Sequence, residues 1–167
     1  AYGTAENLLT RANVVQGEVV LVTGASGGVG SAVVQLARLR GALVIAVTTR
    51  EKAHDVLALG AQQTVERSAN LVHALGRDSV DVVVDVVGGD AFTGLLDVLK
   101  RGGRYAVAGA IAGPVVPLDL RTLYLKDLSL LGCTVTTPAV FARLVELIQQ
   151  GALQPVVPVE QPVVAVA

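Results

Sequence analysis

A glycine-dense turn lies near the amino end of the sequence, where residues 20–30 read Val-Leu-Val-Thr-Gly-Ala-Ser-Gly-Gly-Val-Gly. Glycines permit positive φ and a close approach of the backbone to a ligand. Because an apolar run precedes the turn and a segment of helical period follows it, the N–H groups of Gly28, Val29 and Gly30 would point at an anion that the helix dipole also favours. The turn therefore predicts a pyrophosphate site. Its predicted contact residues are Ser26, Gly27, Gly28 and Val29.

The residues around the turn exclude two other kinds of phosphate-binding enzyme. A nucleoside triphosphatase loop needs Gly-Lys followed by Ser or Thr, but Gly30 is followed by Ser31 and Ala32, so no lysine can reach a β- or γ-phosphate. Short-chain dehydrogenases carry Thr-Gly-x-x-x-Gly-x-Gly, which residues 23–30 match, but their catalysis requires a Tyr-x-x-x-Lys pair. That pair is missing, since the residues four places after Tyr2, Tyr105 and Tyr124 are Glu6, Gly109 and Leu128.

The residues about 20 positions beyond the glycines indicate which dinucleotide would bind. A site for NAD usually places Asp or Glu there, at the end of the second strand, to bind the ribose 2′-OH. Here the strand ends in Thr48, Thr49 and Arg50, which can donate to a 2′-phosphate, and Lys52 adds a second cation. The sequence therefore predicts NADP as the cofactor. The alternative is that Thr49 is only a helix N-cap and that Arg50 and Lys52 are solvated residues of the first turn.

Short valine-rich runs alternate along the chain with segments of helical period, as in a parallel sheet built from βαβ units. The predicted strands are residues 18–24, 42–48, 63–65, 81–87, 104–108 and 129–135. The predicted helices are residues 28–40, about 50–59, 90 to about 103, 121–126 and about 138–151. Six strands match a complete doubly wound Rossmann sheet of order 3-2-1-4-5-6, which is a three-layer α/β fold.

Helical spacing also predicts which side of each helix is buried. In the helix that follows the glycine turn, Ser31, Gln35 and Arg38 fall on the polar side and should face outward. Asp90 is the predicted N-cap of its helix, and Gly60 is the glycine that ends the helix before it. The predicted apolar face of the last helix consists of Phe141, Leu144, Val145 and Ile148.

The composition limits the class of protein. The chain has 167 residues, of which 52% are hydrophobic and 16% charged, and this suits one folded domain with strands buried on both faces. The 13 basic and 14 acidic residues give a net charge of −1 and form no long run of one sign, so we expect neither a nucleic acid nor a membrane as partner. The single cysteine, Cys133, excludes an internal disulfide, fits a reducing, cytoplasmic compartment and is predicted to pack in an apolar strand.

The remaining polar groups are predicted to serve the fold, so we expect no catalytic residue and no metal site in this chain. No Cys-x-x-Cys or His-Glu-x-x-His spacing offers zinc ligands, and His54 and His73 are predicted to be surface residues. Asp81 and Asp85 flank a buried strand and are predicted to be hydrogen-bonded to it, with a pair of acid and base carboxylates as the alternative. Arg121 is predicted to form a structural ion pair, with a substrate contact as the alternative.

Short motifs along nearly the whole chain resemble the cofactor-binding domain of medium-chain dehydrogenases and reductases, especially the branch of quinone oxidoreductases and enoyl reductases. These motifs are Thr4-Ala5, Gly17-Glu18, residues 24–30, Gln35-Leu36-Ala37, Gly60-Ala61, residues 81–89 and Gly102-Gly103-Arg104. The resemblance implies that the ends of the fourth and fifth strands lie beside the cofactor. The residues implied there are Val86, Val87, Ala108, Gly109 and Ala110.

The resemblance also implies a separate catalytic domain, contributed mostly by sequence that precedes this chain. Residues 1–153 would then form the dinucleotide-binding domain, and residues 154–167 would begin the return to the catalytic domain. The implied function is the NADP(H)-binding part of an oxidoreductase that transfers a hydride between nicotinamide and a carbonyl, a quinone or an activated alkene. A small-molecule substrate would be held with the help of the catalytic domain.

Two alternatives to this function stay open at the level of the sequence. One is the cofactor domain of a zinc-dependent alcohol dehydrogenase, and the other is a non-catalytic module that senses NADP(H). We also expect a homodimer formed through residues 129–135, because a terminal apolar strand without charge or proline leaves N–H and C=O groups unpaired. A loop or the catalytic domain covering this edge is the alternative.

Overall fold

The computed structural model describes residues 1–156 and shows a six-stranded parallel sheet between two layers of helices. The strands are β1 (Val19–Val22), β2 (Leu43–Thr48), β3 (Gln63–Glu66), β4 (Val80–Asp85), β5 (Leu99–Val107) and β6 (Ser129–Gly132). Their order is β3-β2-β1-β4-β5-β6, and each neighbouring pair runs parallel. The predicted doubly wound Rossmann fold is confirmed.

The helices connect successive strands or flank the sheet. They are α1 (Tyr2–Arg11), α2 (Gly28–Leu39), α3 (Ala53–Ala58), α4 (Leu71–Leu75), α5 (Phe92–Val98), α6 (Leu120–Leu125) and α7 (Pro138–Gln149). Short 3₁₀ helices, Arg50–Lys52 and Gly89–Ala91, precede α3 and α5. Gly60 follows α3 with a φ of +114°, as the prediction of a helix-ending glycine requires.

Hydrophobic cores lie on both faces of the sheet, because successive side chains of a strand point to opposite faces. Val20 and Val22 of β1 belong to the core under α1, α2, α3 and α7. Leu21 belongs to the core under α4 and α5, to which α6 adds the partly buried Leu123. Strands buried on both faces account for the continuous valine-rich runs in the sequence.

The prediction that Ser31 and Gln35 face outward is wrong. Both residues are buried, because α1, which the sequence pattern does not identify, packs against α2 and covers that side. The Gln35 side-chain amide donates to the Tyr2 hydroxyl and to the carbonyl oxygen of Gln154, each at 3.0 Å. Arg38 is exposed, as predicted.

The predicted apolar face of α7 is largely wrong as well. Phe141 and Ile148 are 62% and 58% exposed, and Val145 is also exposed. The buried residues are Val140, Leu144 and Leu147. Both sets follow helical spacing, so the pattern alone could not decide which set faces the sheet.

The connection from β4 to β5 differs from the prediction in three places. β4 ends at Asp85, so Val86 and Val87 belong to the loop that follows it. Asp90 lies inside the 3₁₀ helix Gly89–Ala91 and makes no capping hydrogen bond with its side chain. The helix α5 ends at Val98, and residues 100–103, which the sequence suggested as the end of the helix, lie within β5. Leu99 pairs with Val80 and Arg104 pairs with Val82, so the register of β5 with β4 is irregular across residues 100–103.

The carboxyl-terminal part of the sheet is shorter than predicted. β6 ends at Gly132 rather than at residue 135, and the last bond toward β5 is donated by the Cys133 N–H to the Val107 carbonyl oxygen at 2.9 Å. Of the predicted return segment 154–167, residues 157–167 lie outside the described residues. Within residues 1–156, no helix has the combined length and apolar character that crossing a membrane requires.

Candidate functional site

The carboxyl ends of β1, β2, β4 and β5 are tied together at one edge of the sheet. The Thr23 N–H donates to the Val84 carbonyl oxygen at 3.0 Å, and the Ala25 N–H donates to the Val47 carbonyl oxygen at 3.2 Å. The chain order reverses between β1 and β4, so the crevice of this fold opens at this edge. All residues that the sequence assigned to ligand contact lie at this edge or in the loops that leave it.

The glycine turn has the conformation that an anion site needs. Gly27 precedes α2 in an extended conformation, and its N–H donates to the Gly24 carbonyl oxygen at 2.9 Å. The next backbone N–H that is bonded belongs to Ser31, so within the described chain the N–H groups of residues 28–30 have no backbone partner. A Cβ on Gly30 would lie 2.2 Å from the Gly24 carbonyl oxygen. Glycine is therefore required at residue 30 to keep the helix against the turn.

Beneath this turn, Asp85 forms a buried hydrogen-bond network that links three strands. Its side chain is fully buried and accepts from the Thr23 hydroxyl at 2.5 Å and from the Tyr105 hydroxyl. It also accepts from the backbone N–H groups of Val87 at 2.8 Å and Gly88 at 3.1 Å. Burial and the bond to Asp85 raise the pKa of Tyr105 well above its usual range. The network supports the predicted structural role of Asp85, and the part played by Tyr105 was missed.

The loops after β4 and β5 are joined by direct backbone contacts. The Gly89 N–H donates to the Gly113 carbonyl oxygen at 3.1 Å, and the Ala112 N–H donates to the Val87 carbonyl oxygen at 2.8 Å. A Cβ on Gly109 would lie 2.7 Å from the Val86 carbonyl oxygen, so only glycine allows this approach.

These loops therefore form one surface beside the glycine turn. Gly24 adjoins it, since a Cβ there would meet the Val87 and Val86 side chains at 3.0 and 3.2 Å. The structure thus brings Val86, Val87, Ala108, Gly109 and Ala110 to the same region as the turn. Ala110 is exposed and the other four are half-buried.

A cavity of about 130 Å³ lies at the end of β2. Its lining residues are Thr48, Thr49, Arg50, Ala53, Thr64, Val65 and Glu66. Thr48 is 4% exposed, and its hydroxyl has no hydrogen-bond partner among the described residues. Arg50 is exposed, and none of the ion pairs within residues 1–156 includes it.

Thr49, Glu51 and Lys52 lie next to Arg50 at this end of β2. Thr49 holds the N-cap position of the 3₁₀ helix, but its side chain makes no capping bond to that helix. The pKa of Glu51 is lowered, because its carboxylate accepts hydrogen bonds from the Glu51 backbone N–H and from the Thr49 hydroxyl. The charges of Arg50 and Arg67 lower the pKa of Glu51 further. Lys52 is exposed and is not among the residues that line the cavity.

A second cavity of about 350 Å³ lies on the other face of the sheet at the same edge. Its lining residues include Thr23, Val47, Arg67, Asn70, Leu71, Asp90 and Leu95. The Arg67 N–H donates to the Thr48 carbonyl oxygen at 2.9 Å, so the end of β3 lies directly beside the end of β2. Sequence reasoning missed both Glu66 and Arg67, although their position just after the third apolar run could have drawn attention to them.

The polar groups that the sequence assigned to the fold lie away from these cavities or are paired. Burial raises the pKa of Asp81, but bonds from Lys100 at 2.9 Å and from the Val19 N–H at 2.8 Å outweigh it, so the pKa is lowered. Arg121 pairs with Asp119 at 2.9 Å, as predicted for a structural ion pair.

His54 and His73 are exposed, as predicted. Over residues 1–156, no group of three or more His, Cys, Asp or Glu residues could hold a metal ion.

Comparisons with known proteins agree with this geometry. The family model described as "Zinc-binding dehydrogenase" matches residues 28–150. Acryloyl-coenzyme A reductase of Metallosphaera sedula is 37% identical over 151 residues, which are 89% of this chain and 45% of the relative. Quinone oxidoreductase-like protein 2 of Bos taurus is 37% identical over 79% of this chain and 40% of its own length.

A solved structure shows the same fold at higher identity. The crystal structure of a candidate alcohol dehydrogenase from Sinorhizobium meliloti 1021 superimposes with a TM-score of 0.88 and 50% identity, and the match covers 93% of this chain and 44% of the other. The chain therefore spans less than half the length of these relatives.

A parallel sheet with an open glycine turn at its switch point defines a dinucleotide-binding domain. The chain belongs to the zinc-binding dehydrogenase family, and it is the cofactor-binding domain of a medium-chain dehydrogenase/reductase in the branch of quinone oxidoreductases and enoyl reductases.

Proposed function

We propose that this chain binds NADP(H) and forms the cofactor-binding part of a reductase. The main support for this proposal is the cavity at the end of β2. The buried Thr48 hydroxyl there has no hydrogen-bond partner among the described residues, and Arg50 is the cation in the lining. β2 itself ends in Thr48 and not in the acidic residue that sites for NAD usually carry at this position. An arginine fork suits a phosphate because it donates charge-assisted, bidentate hydrogen bonds.

Each part of the cofactor has a set of residues suited to it. The pyrophosphate would lie on the N–H groups at the start of α2, with Ser26, Gly27, Gly28 and Val29 around it. The 2′-phosphate would lie against Thr48, Thr49 and Arg50, with Lys52 nearby. The nicotinamide would lie on the joined loops, and its residues there are Val86, Val87, Ala108, Gly109 and Ala110.

The hydride chemistry would belong to the cofactor, which gives or accepts the hydride when bound. The share of this chain is to hold the nicotinamide end in place, and the buried Asp85 network gives that surface a fixed shape. We propose a carbonyl, a quinone or an activated alkene as substrate, since the relatives named above include reductases of acryloyl-coenzyme A and quinone oxidoreductase-like proteins. The substrate would be held together with a catalytic part that this chain does not supply.

A zinc-dependent alcohol dehydrogenase is the second candidate, because the matching family model is that of zinc-binding dehydrogenases. Its zinc ligands would come from the catalytic part.

The test of cofactor binding is calorimetric titration of the 167-residue chain with NADPH and with NADH. We expect NADPH to bind more tightly and the chain to reduce no member of a panel of carbonyl, quinone and enoyl substrates. Absence of binding by both cofactors would contradict the proposed function, and rapid turnover by the chain alone would contradict its restriction to the cofactor-binding part.

We also propose that the protein forms a homodimer through β6. This strand is the last in the sheet order, so one of its edges is unpaired among the described residues. Residues 129–135 carry neither a charge nor a proline that would discourage pairing with another strand. Pairing with the same strand of a second copy would satisfy these backbone groups and join two sheets.

A further inference from the structure

Glu66 is the last residue of β3 and the direct neighbour of Thr48 in the sheet. The parallel pairing of β2 with β3 places Thr48 opposite Glu66 and Ala46 opposite Thr64. Paired residues of adjacent strands point to the same face, so the side chains of Thr48 and Glu66 lie next to each other. Both residues line the cavity of about 130 Å³ together with Arg50.

The polar groups of Thr48 and Glu66 are both available to a ligand. The Thr48 hydroxyl is buried and has no partner within residues 1–156, which is uncommon for a buried polar group in a folded protein. Glu66 is half-buried, and none of the ion pairs within the same residues includes it. An unpaired carboxylate beside an unpaired hydroxyl offers acceptors for the O–H groups of a sugar.

We propose that Glu66 is a specificity-determining residue that accepts a hydrogen bond from a hydroxyl of the adenosine ribose and opposes the 2′-phosphate. This inference rests on the proposed binding of a nicotinamide dinucleotide at the end of β2. Arg50 and Glu66 then act in opposite directions on the same position, because one attracts a phosphate and the other repels it. The chain consequently accepts both cofactors, and it prefers NADPH by less than Arg50 alone would allow.

The position of Glu66 supplies the carboxylate that β2 lacks. Rossmann domains that bind NAD usually place an acidic residue at the end of the second strand. Here that strand ends in Thr48, while its neighbour in the sheet ends in Glu66 at the same edge. Adjacent strands lie about 4.8 Å apart, so a glutamate side chain on β3 can reach a ribose held at the end of β2.

The test compares Glu66→Gln with Glu51→Gln by calorimetric titration of the chain with NADPH, NADH, ADP-ribose and 2′-phospho-ADP-ribose. Gln keeps the shape of Glu66 and removes its charge. Glu51 is the matched control, because its carboxylate also lies near Arg50 and Arg67 but does not line the cavity. The two nicotinamide-free ligands restrict the readout to the adenosine end of the site.

We expect Glu66→Gln to bind NADPH roughly threefold to tenfold more tightly and NADH roughly twofold to fivefold more weakly, since a like charge is removed and a charge-assisted bond is weakened. Glu66→Gln should likewise bind 2′-phospho-ADP-ribose more tightly and ADP-ribose more weakly than the wild-type chain does. Glu51→Gln should change each affinity by less than about twofold, because an exposed charge is screened by solvent and salt.

The outcomes separate this inference from the proposed function. If the wild-type chain binds both cofactors and Glu66→Gln leaves their affinity ratio unchanged, or changes it no more than Glu51→Gln does, the role of Glu66 is refuted while the cofactor site stands. If the wild-type chain binds neither cofactor, the proposed function and this inference fail together. Thermal unfolding of each variant shows that the chain is folded in every titration.

Discussion

Arg50 and Lys52 are both exposed, but Arg50 lines the cavity beside the buried Thr48 hydroxyl and Lys52 does not. The sequence shows two nearby basic residues, and the structure shows that Arg50 is the one in the cavity lining.

Arg50→Ala should therefore weaken NADPH binding and leave NADH binding nearly unchanged. A hydrogen bond to a charged group contributes about 1.5–3 kcal/mol, which corresponds to roughly a tenfold to hundredfold loss for NADPH. Lys52→Ala is the comparison variant and should lose less than about threefold, because Lys52 does not line the cavity and solvent and salt screen its charge. Calorimetric titration measures both variants. Equal losses for NADPH and NADH would show that Arg50 supports the fold and does not contact the phosphate.

Asp85 holds the loop after β4, where we propose that the nicotinamide lies, in a fixed shape. Asp85→Asn replaces a carboxylate that accepts from four donor groups by an amide whose NH₂ group faces donors, so it should lower the free energy of unfolding by roughly 2–4 kcal/mol. Tyr105→Phe removes one donor and keeps the carboxylate, and it should cost about 1–2 kcal/mol. Urea unfolding followed by circular dichroism measures both. An unchanged urea midpoint for Asp85→Asn would contradict the importance of this network.

At the scale of the element, the contact between the glycine turn and α2 depends on the missing side chain of Gly30. Gly30→Ala would bring a Cβ against backbone atoms of Gly24 and Ala25, the nearest at 2.2 Å, and backbone cannot move aside as a side chain can. We expect the free energy of unfolding to fall by about 1–3 kcal/mol and NADPH binding to weaken, because α2 must shift away from the turn.

Gly28→Ala is the matched control for stability. The nearest atom to a Cβ there is 3.8 Å away, which is an ordinary contact, and the residue already has helical conformation. Its unfolding free energy should stay within about 0.5 kcal/mol of the wild type. Thermal unfolding compares the variants, and equal stability of Gly28→Ala and Gly30→Ala would contradict the close packing of helix and turn.

Most elements could be predicted from the sequence because strands buried on both faces leave continuous valine-rich runs, and these runs alternate with helical periods. The glycine turn was also predictable, because its residues are contiguous in the sequence and lie between one apolar run and one segment of helical period. α1 was missed because its buried residues include Glu6 and Asn7, which read as surface residues until the ion pair of Glu6 with Arg40 at 2.6 Å is known. The burial of Gln35 depends on that helix and could not be inferred without it.

The candidate site was predictable only where it is local in sequence. Thr48, Thr49 and Arg50 follow each other, so one segment of sequence showed them together. Glu66 lies opposite Thr48 only through the register of β2 with β3, and register is a property of the folded sheet. The partnership of Asp85 with Tyr105 likewise joins residues of neighbouring strands.

At the scale of the whole molecule, the free edge of β6 decides how copies of the chain could associate. The Cys133 N–H points toward β5, so the N–H groups of Leu131 and Ser129 point the same way, while those of Leu130 and Gly132 point to the open edge. Leu130 is also 37% exposed. Among residues 1–156, no strand pairs with this edge, so its backbone groups and part of its apolar surface could contact a second copy.

Leu130→Pro should weaken the dimer while keeping the monomer folded. Proline is tolerated in an edge strand where its missing N–H would have faced away from the sheet, and this holds for residue 130. The same substitution removes a donor that antiparallel pairing with a second copy would need. Thr134→Pro lies beyond the end of β6, at the border of the proposed interface, so it should weaken association less than Leu130→Pro does. Sedimentation equilibrium at tens of micromolar chain measures the result, with thermal unfolding as the test of folding. A wild-type chain that is monomeric under these conditions, or a Leu130→Pro variant that dimerises as strongly as the wild type, would contradict pairing through this edge.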